Sequence, residues 1–515
     1  MGLQSRRFSP LKEAPGHARR AVAMTRHAKH LPNCHQYILN KQMPKLDRGA
    51  LDLLQTDIVD SNGRVTLDEL AAILMTTAGI RNLESKNNQV KRWAATAGNL
   101  GSVELFLAIH DVDGLPPGFY FYQPQEHSLA FIQWRSGMLE IEEFMRRVVL
   151  AEPDHLPDVL VLFTGAFERI AQKYGSFAYR LINLDAGAAL SQFHLVARCL
   201  NIRSQTAVHW ADDLIEEHLN LEPTEEHSTA VVGLFRSAST REPNSTRSEL
   251  QFDIPPAKAA HAFCALPVEA VTEMLYRESR RKEDAFHLDS FGLLNPLSLP
   301  NPLVTSSEFP IAHRDQSVTA LLPSPARGGR LVGEILASRT SIRHYTNDTV
   351  SKGQLSTMLS CAYQGDAQDW PEENHERLPL TFLVLAWRID GLDPGVYAYD
   401  HQNNALCFSS VAPSSTEAVD LFVQREVASA PLVIWIVGNL AAACARHGAF
   451  GHRQLLLRAG AAGHRLWMAS LGMGLEGLLV SGLVPGAARH LLGLDGYGKA
   501  SLFAFVTGHG DQSFR

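Results

Sequence analysis

Residues 179–187 read YRLINLDAG, and residues 452–460 read HRQLLLRAG. Both stretches fit the frame X-Arg-X-X-X-Leu-X-Ala-Gly, and they lie 273 residues apart (187 to 460). A second pair, DGLPPGFYFY at 113–122 and DGLDPGVYAY at 390–399, follows the same order at a spacing of 277 (113 to 390). Two matches at nearly one spacing indicate a duplicated domain, because solenoid repeats are short and numerous. The sequence therefore predicts a homodimer fused into one chain.

The composition is that of an ordinary globular protein, with 515 residues, 45% hydrophobic and 20% charged, and a net charge of −7. This charge argues against a nucleic-acid-binding protein, which usually has a basic face. Six cysteines without a C-x-x-C pair fit neither a disulfide framework nor a zinc site, and they predict a reducing, cytoplasmic setting. We expect no signal peptide or membrane span, since no apolar run is long enough, and no metal, since the 22 histidines fall in no metal-binding frame.

Apolar periodicity places matching elements in the two copies. Helices are expected at 66–80, 351–365, 179–200 and 452–471, and strands at 103–110, 160–163, 382–386 and 432–437. The two long helices are apolar on almost every side, so they should be central. The predicted organisation is an N-terminal extended arm at 1–45, domain 1 at 46–235, a linker at 236–325 with a helix at 258–284, and domain 2 at 326–515.

The heptad RTSIRHY at 339–345 carries Arg339, Ser341 and Arg343 at alternate positions. In an extended segment alternate side chains project to one face. Two guanidinium groups and a hydroxyl on one face suit a phosphate, which arginine binds through charge-assisted bidentate hydrogen bonds. The alternative is a solvated basic turn.

Two segments of copy one also suggest a site. The loop RWAATAGNLG at 92–101 contains Thr96, Ala97 and Gly98, and small residues allow the backbone to approach a ligand closely. Lys173 and Tyr174 precede the first long helix. They could act as a general base and a hydrogen-bond donor in a desolvated site. A plain loop and an exposed polar pair are the alternatives.

Copy two offers LGMGLEG at 471–477, directly after its long helix. The backbone NH groups of such a segment, around Glu476 and Gly477, could bind the edge of a planar heterocycle. A helix C-cap followed by a turn explains the same pattern equally well. Gln424, ahead of the strand at 432–437, is a weaker candidate for contact with the same heterocycle.

Together these motifs resemble the FMN-dependent nitroreductase superfamily, and within it the azoline-oxidising, SagB-type dehydrogenases. The resemblance covers about 45–235 and 325–515 and depends most on DGLPPGFY, the Lys-Tyr pair and the Ala-Gly helix. The P-S-A-G loop of that branch is reduced here to ATAG at 95–98. The resemblance implies an α+β fold in two nitroreductase-like domains, each a central mixed sheet wrapped by helices, paired as an intramolecular pseudodimer.

The same resemblance implies where a flavin would bind. In the family each FMN lies at the dimer interface, where one subunit supplies the Arg-X-Ser-X-Arg segment and the backbone near flavin N5. The other subunit supplies the small-residue loop over the flavin. Carried onto this chain, the first set is Arg339, Ser341, Arg343, Glu476, Gly477 and Gln424, and the second is Thr96, Ala97 and Gly98, with Lys173 and Tyr174 as catalytic residues.

Aligned position by position, copy one lacks the cofactor-holding residues. If Thr66 is placed on Ser351, the phosphate segment of copy two falls on Leu54, Thr56 and Ile58. The glycine of the 476–477 pair has no counterpart in RSQTAV at 203–208.

Copy two lacks the other half of the site. The small-residue loop falls on Glu373-Asn374-His375, and the Lys-Tyr pair falls on Arg446-His447. Because these losses are reciprocal, one interface position keeps both halves and the other keeps neither. The sequence therefore predicts one FMN per chain.

The predicted function is oxidation of a peptide- or amino-acid-derived heterocycle, an azoline to an azole, with FMN as cofactor and oxygen as electron acceptor. Such an enzyme could work within a biosynthetic complex. One alternative is an NAD(P)H-dependent nitro or quinone reductase, since a fold hosts many functions. A second alternative is a non-catalytic scaffold in a peptide-modifying complex.

Overall fold

The computed structural model describes residues 29, 31, 33–56, 64–82, 90–132, 138–149, 156–235, 318–371 and 378–514. Domain 1 contains strands β1 His35–Ile38, β2 Val65–Thr66, β3 Ile80–Asn82, β4 Lys91–Arg92, β5 Val103–Ile109, β6 Val112–Asp113, β7 Gly118–Gln123, β8 Ser128–Ile132, β9 Val159–Gly165, β10 Arg203–Thr206 and β11 His227–Phe235. Its helices are α1 Ala50–Leu54, α2 Leu67–Ala78, α3 Ile141–Val149, α4 Phe167–Tyr174, α5 Phe177–Cys199 and α6 Asp212–Leu219.

Domain 2 repeats this arrangement. Its strands are β12 Val318–Leu321, β13 Thr381–Ala386, β14 Gly395–Asp400, β15 Ala405–Val411, β16 Leu432–Gly438, β17 Glu476–Val480 and β18 Ala500–Gly508. Its helices are α7 Val332–Ser338, α8 Lys352–Asp369, α9 Ser415–Ala418, α10 Leu440–His447, α11 Phe450–Gly472 and α12 Pro485–Leu492.

The two sheets have the same strand order, which confirms the predicted tandem α+β architecture. The order is β1-β8-β7-β5-β9-β11-β10 in domain 1 and β12-β15-β14-β13-β16-β18-β17 in domain 2. The central strands are buried along almost their whole length, as in a sheet covered on both faces. One detail of the prediction is wrong: the sheets are antiparallel rather than mixed. Apolar runs mark strands but do not encode their direction.

The alignment at a spacing of 273 holds without a gap from β9 to β11. Helix α4 and helix α10 both have 8 residues, and α5 and α11 both have 23. Gly175 and Gly448, which follow α4 and α10, both have positive φ, 56° and 61°. The equivalence of Lys173-Tyr174 with Arg446-His447 therefore rests on equivalent helix ends.

The earlier part of the alignment rests on two helix N-caps. Thr66 and Ser351 each accept a hydrogen bond from the backbone of the third helical residue, which closes a capping box at the start of α2 and α8. The predicted pairing of these positions is confirmed. The Arg-X-Ser-X-Arg segment is accordingly equivalent to the residues that follow α1.

The repeated Ala-Gly frame lies where the two domains meet. Helices α5 and α11 run side by side in register, so that Ser191 contacts its own equivalent, His464, at 3.0 Å. A Cβ on Gly187 would collide with the carbonyl oxygen of Leu457, and a Cβ on Gly460 would collide with that of Leu184. The shared glycines therefore permit close helix packing around a pseudo-twofold axis.

Two predicted boundaries differ from the structure. The arm contributes β1, and the end of the linker contributes β12, as the edge strands of the two sheets. Each strand has 4 residues, too short for periodicity to identify. Most of the arm, and the linker from 236 to 317 with its predicted helix at 258–284, lie outside the described residues. Within the described ranges, no helix has the length and apolar character that a membrane crossing requires.

Candidate active site

The Arg-X-Ser-X-Arg segment lies beside β17 in an extended conformation. Ser341 forms a parallel bridge with Gly477, and the amide of Ile342 donates a hydrogen bond to the carbonyl of Gly477 at 3.2 Å. The side chain of Ile342 is buried in the domain 2 core, so the neighbouring alternate residues face the other way. The structure thus brings together two segments that the sequence places about 130 residues apart (341 to 477).

Arg339 connects the two domains. Its Nε donates to the carbonyl of Trp93 at 3.3 Å, and one of its terminal nitrogens donates to the carbonyl of Arg92 at 3.1 Å. Its guanidinium carbon also lies 4.8 Å from the centre of the Trp467 ring. Burial, followed by the nearby charge of Arg81, lowers the pKa of Arg339 to about 10. Arg339 is therefore committed to the interdomain contact. The indole nitrogen Nε1 of Trp467 is buried beside it and has no hydrogen-bond partner among the described residues.

Arg343 is the more accessible arginine of the segment. Its side chain is 43% exposed, and its Nε lies 4.0 Å from a carboxylate oxygen of Glu426. Gln424, half-buried, precedes the 3₁₀ turn that carries Glu426. The weaker candidate Gln424 is therefore on a segment next to Arg343, although its own side chain makes no capping hydrogen bond there.

The small-residue loop forms a tight turn against the Lys-Tyr pair. Thr96 precedes a 3₁₀ turn at Ala97–Asn99 in which Gly98 has φ 57°. A Cβ at Gly98 would lie 2.6 Å from the hydroxyl of Tyr174 and 2.7 Å from the ammonium nitrogen of Lys173. A Cβ at this position would displace the ends of the Lys173 and Tyr174 side chains, and the left-handed φ of Gly98 favours glycine.

Lys173 and Tyr174 form the last turn of α4 and are half-buried. The Lys173 nitrogen lies 5.1 Å from the centre of the Tyr174 ring. Burial lowers the pKa of Lys173, and burial together with the charge of Asp185 raises the pKa of Tyr174 to about 12. The lysine is thus moved toward a neutral amine that can accept a proton, while the tyrosine stays a hydrogen-bond donor.

Asp185, which the sequence reasoning missed, holds this turn. Its carboxylate accepts hydrogen bonds from the amide of Ala97 at 2.7 Å and from the hydroxyl of Ser102 at 2.5 Å. Burial raises its pKa to about 6. The sequence did contain a signal for this role. Asp185 is a carboxylate within an otherwise apolar helix, and copy two has Arg458 at the equivalent position of the repeat frame.

Glu476 and Gly477 begin β17 after the predicted turn. Helix α11 ends at Gly472, and Gly474 has φ 80°, so the interpretation as a helix end and turn is confirmed for this stretch. The carboxylate of Glu476 packs against Gly510, where a Cβ would collide with it. The carbonyl of Gly477 accepts the hydrogen bond from the Arg-X-Ser-X-Arg segment described above.

The pseudo-twofold axis generates a second interface region, which is filled. Trp210 and Phe450 meet at 5.3 Å between ring centres, and His209 lies 5.2 Å from His447. The guanidinium of Arg453 lies over the rings of Trp210 and Phe450 at 5.0 and 4.6 Å. It also donates to Asp212 at 2.8 Å, and both side chains are at most 1% exposed. We call this cluster of six residues the closed region.

Three positions equivalent to residues of the closed region are more exposed. At the spacing of 273, His209 and Trp210 correspond to Gly482 and Leu483, which are half-exposed. Phe450, 1% exposed, corresponds to Phe177, 39% exposed. We call the region that contains the Lys-Tyr pair, the 96–98 turn, the 339–343 segment and the 476–477 pair the open region.

Some predicted losses can be placed and others cannot. Leu54 ends α1, and the hydroxyl of Thr56 donates to the carbonyl of Asp52, so neither can bind a phosphate as an arginine would. Ile58 and residues 373–375 lie outside the described residues. In the described part of the chain, no group of three or more His, Cys, Asp and Glu residues is arranged to hold a metal ion.

The comparisons with known proteins agree with this architecture. The nitroreductase family model matches residues 59–234 and 336–509. A candidate nitroreductase of Methanocaldococcus jannaschii is 24% identical over 158 residues, which cover 30% of this chain and 75% of that protein. The crystal structure of a candidate nitroreductase from Anabaena variabilis aligns with a TM-score of 0.70 at 20% identity, over 94% of this chain and 93% of that one.

A third similarity is much weaker. The microcin synthetase complex of E. coli with bound truncated pro-MccB17 aligns over 45% of this chain and 84% of its own, at 16% identity and a TM-score of 0.29. Similarity at this level carries no inference about this chain. The family match, which covers each domain almost from end to end, does: this chain is a tandem member of the nitroreductase family of oxidoreductases.

Proposed function

We propose that this chain is an FMN-dependent dehydrogenase with one composite active site in the open region. The observation that carries the proposal is a continuous set of contacts across the domain interface. Arg339 of domain 2 holds the backbone of Arg92 and Trp93, and a few residues later Gly98 lies against Lys173 and Tyr174. These contacts support a site that combines the phosphate-type segment, the covering turn and the candidate base.

The residues of the open region fit a flavin phosphate and ring. Arg343 and Ser341 would bind the phosphate, while Arg339 keeps the two domains in contact behind them. The indole NH of Trp467 is buried and has no acceptor among the described residues. Because buried donors are usually hydrogen-bonded, this NH would be available to a bound flavin. Gly477, Glu476 and Gln424 would lie along the ring edge, and Thr96, Ala97 and Gly98 would cover it.

The candidate reaction is the aromatisation of a thiazoline or oxazoline in a peptide or amino-acid derivative. FMN, when bound, supplies a two-electron acceptor, and oxygen is the final oxidant. Lys173 as the neutral amine removes the ring proton, and Tyr174 orients the substrate through its hydroxyl. A positioned base of this kind contributes about 10²–10⁴-fold to the rate. A reductase that only relays hydride from a nicotinamide needs no such base, which favours the dehydrogenase.

The decisive experiment is a count of FMN per chain in the purified protein from its visible spectrum, followed by turnover assays. We expect about one FMN per chain and oxygen consumption with a thiazoline-containing peptide. Two FMN per chain would contradict the single composite site. Rapid bleaching by NADPH without azoline oxidation would instead identify a nitro or quinone reductase, and absence of FMN would identify a scaffold.

A further inference from the structure

We propose that Asp185 is a positioning residue, which fixes the 96–102 turn so that Gly98 seals the side of the Lys-Tyr pair. This inference rests on the proposed function for its catalytic meaning. The structural part of the inference is that the Asp185 carboxylate determines the environment of Lys173. This part can be tested without measuring turnover.

The turn is closed by a small polar network with Asp185 at its base. The hydroxyl of Thr96 accepts hydrogen bonds from the amides of Gly101 at 3.2 Å and Ser102 at 3.1 Å. It also lies 3.0 Å from the hydroxyl of Ser102. The carboxylate of Asp185 then binds the Ala97 amide and the Ser102 hydroxyl, one on each side of Gly98. The turn is therefore fastened to α5 at two points that bracket Gly98.

A contribution to stability alone does not explain why the Asp185 carboxylate is buried at this position. Burying a carboxylate in an apolar helix is costly, and the rise of its pKa to about 6 reflects that cost. The turn packs Gly98, one of its two left-handed glycines, directly on the terminal atoms of Lys173 and Tyr174. What the carboxylate secures is consequently the water-excluding contact that lowers the pKa of Lys173.

The position of domain 2 that is equivalent to Asp185 has a residue of opposite charge. Arg458 replaces the carboxylate and forms a bidentate pair with Asp366 of α8, at 3.0 and 2.6 Å. Domain 2 also has Arg446 and His447 in place of the Lys-Tyr pair. The carboxylate thus occurs in the copy that has the candidate base, and the other copy uses the same helix position for core electrostatics.

The test compares Asp185→Ala with Asp185→Asn in the full-length chain. Competitive labelling of Lys173 with acetic anhydride across pH, read by mass spectrometry, gives its apparent pKa without any flavin or substrate. We expect Asp185→Ala to raise that apparent pKa toward the ordinary lysine value, because water enters under the loosened turn. Asp185→Asn should leave it lowered, since an amide oxygen can still accept both hydrogen bonds. With saturating flavin and substrate, Asp185→Ala should lower kcat by about 10²-fold, the cost of a 1 Å misplacement.

Two further variants keep the inference open to refutation. Ser102→Ala removes one of the two fastenings without removing the carboxylate, and it should raise the apparent pKa of Lys173 by a smaller amount. Ser191→Ala, which removes another buried hydrogen bond of α5, should have no effect on it. If Asp185→Ala leaves the labelling profile at the wild-type value, or if Asp185→Asn behaves like Asp185→Ala in a folded protein, Asp185 is not a positioning residue. Failure of the wild type to bind FMN would overturn the proposed function but leave this comparison valid.

Discussion

The open and closed regions descend from the same interface position, and they differ most in what fills them. In the closed region, Trp210, Phe450 and the Arg453–Asp212 pair occupy the space between the domains. In the open region the corresponding positions include Gly482, Leu483 and the partly exposed Phe177. The same backbone therefore supports a filled domain contact on one side of the axis and leaves the equivalent side chains more exposed on the other.

This difference explains how fusion of two copies permits specialisation. In a symmetric homodimer a substitution appears at both interface positions, so filling one would fill the other. In one chain the two positions diverge independently. The closed region can then stabilise the pseudodimer, while the open region keeps the half-buried lysine, the left-handed glycine turn and the accessible arginine.

The largest expected effect separates Lys173 from its equivalent, Arg446. Lys173→Ala should reduce azoline turnover by about 10²–10⁴-fold while the protein stays yellow, because a general base contributes that much and the flavin contacts remain. Turnover and the flavin spectrum measure the two properties separately. Arg446→Ala, at the equivalent position beside the closed region, is the matched control and should leave turnover within the wild-type range. Equal losses in both variants would mean that the two regions are not functionally distinct.

The next effect tests whether the closed region stabilises the pseudodimer. Arg453→Met should lower the free energy of unfolding by about 3–5 kcal/mol, because it removes the buried guanidinium that pairs with the carboxylate of Asp212. Urea unfolding measures the change. The double variant Arg453→Met/Asp212→Leu should recover much of the loss, since no unpaired charge remains. If Arg453→Met lowers the free energy of unfolding by less than about 1 kcal/mol, the Arg453–Asp212 pair contributes no more than an exposed surface ion pair.

A pH effect distinguishes Asp185 from Arg458, its equivalent. The folded-state pKa of Asp185, about 6, lies above its ordinary value of 3.8, so its protonated form is the one that folding favours. Its contribution to stability is complete below about pH 4 and declines as pH rises through 6. Relative to Asp185→Asn, the wild type should therefore lose up to about 3 kcal/mol between pH 4 and 6. Urea unfolding at each pH measures this difference, and a flat or rising difference would contradict the assignment.

A smaller effect is expected at the phosphate segment. Arg343→Ala should weaken FMN binding by about 10- to 100-fold, since hydrogen bonds to a charged group contribute about 1.5–3 kcal/mol. Fluorescence titration with FMN measures the change. Arg425, an exposed neighbour of Glu426, is the control, and Arg425→Ala should bind FMN as the wild type does. A loss of similar size in both variants would indicate a general charge effect instead of a phosphate contact.

Most of the fold could be predicted from the sequence, because the duplication is visible in residues that packing constrains. The Ala-Gly frame survives in both copies since each glycine contacts a backbone carbonyl of the other helix. The capping residues Thr66 and Ser351 likewise mark equivalent helix starts. The edge strands β1 and β12 could not be predicted, because four residues carry too little periodicity and their pairing depends on distant strands.

The site was predictable only where local motifs carry it. The turn at 96–98 and the Lys-Tyr pair form a cluster, and Ser341 does lie beside Gly477. Their assignment to a flavin remains a prediction. The commitment of Arg339 to backbone carbonyls, the role of Asp185 and the filling of the closed region depend on contacts between residues far apart in the chain. A position-by-position alignment records that a residue was lost, but it does not show what replaced it in space.

The smallest effect separates backbone strain from contact with the active site, and it concerns Gly98 and Gly474. Both have positive φ, 57° and 80°, so alanine at either position should cost about 1–2 kcal/mol of stability. A Cβ at Gly98 would also displace Lys173 and Tyr174, whereas a Cβ at Gly474 would have no described neighbour within 4 Å outside its own chain segment. Urea unfolding should show similar losses for Gly98→Ala and Gly474→Ala. Acetic anhydride labelling of Lys173 should change only in Gly98→Ala, because only that variant opens the sealed side of the Lys-Tyr pair. Equal labelling in the two variants would show that the turn does not control the environment of the base.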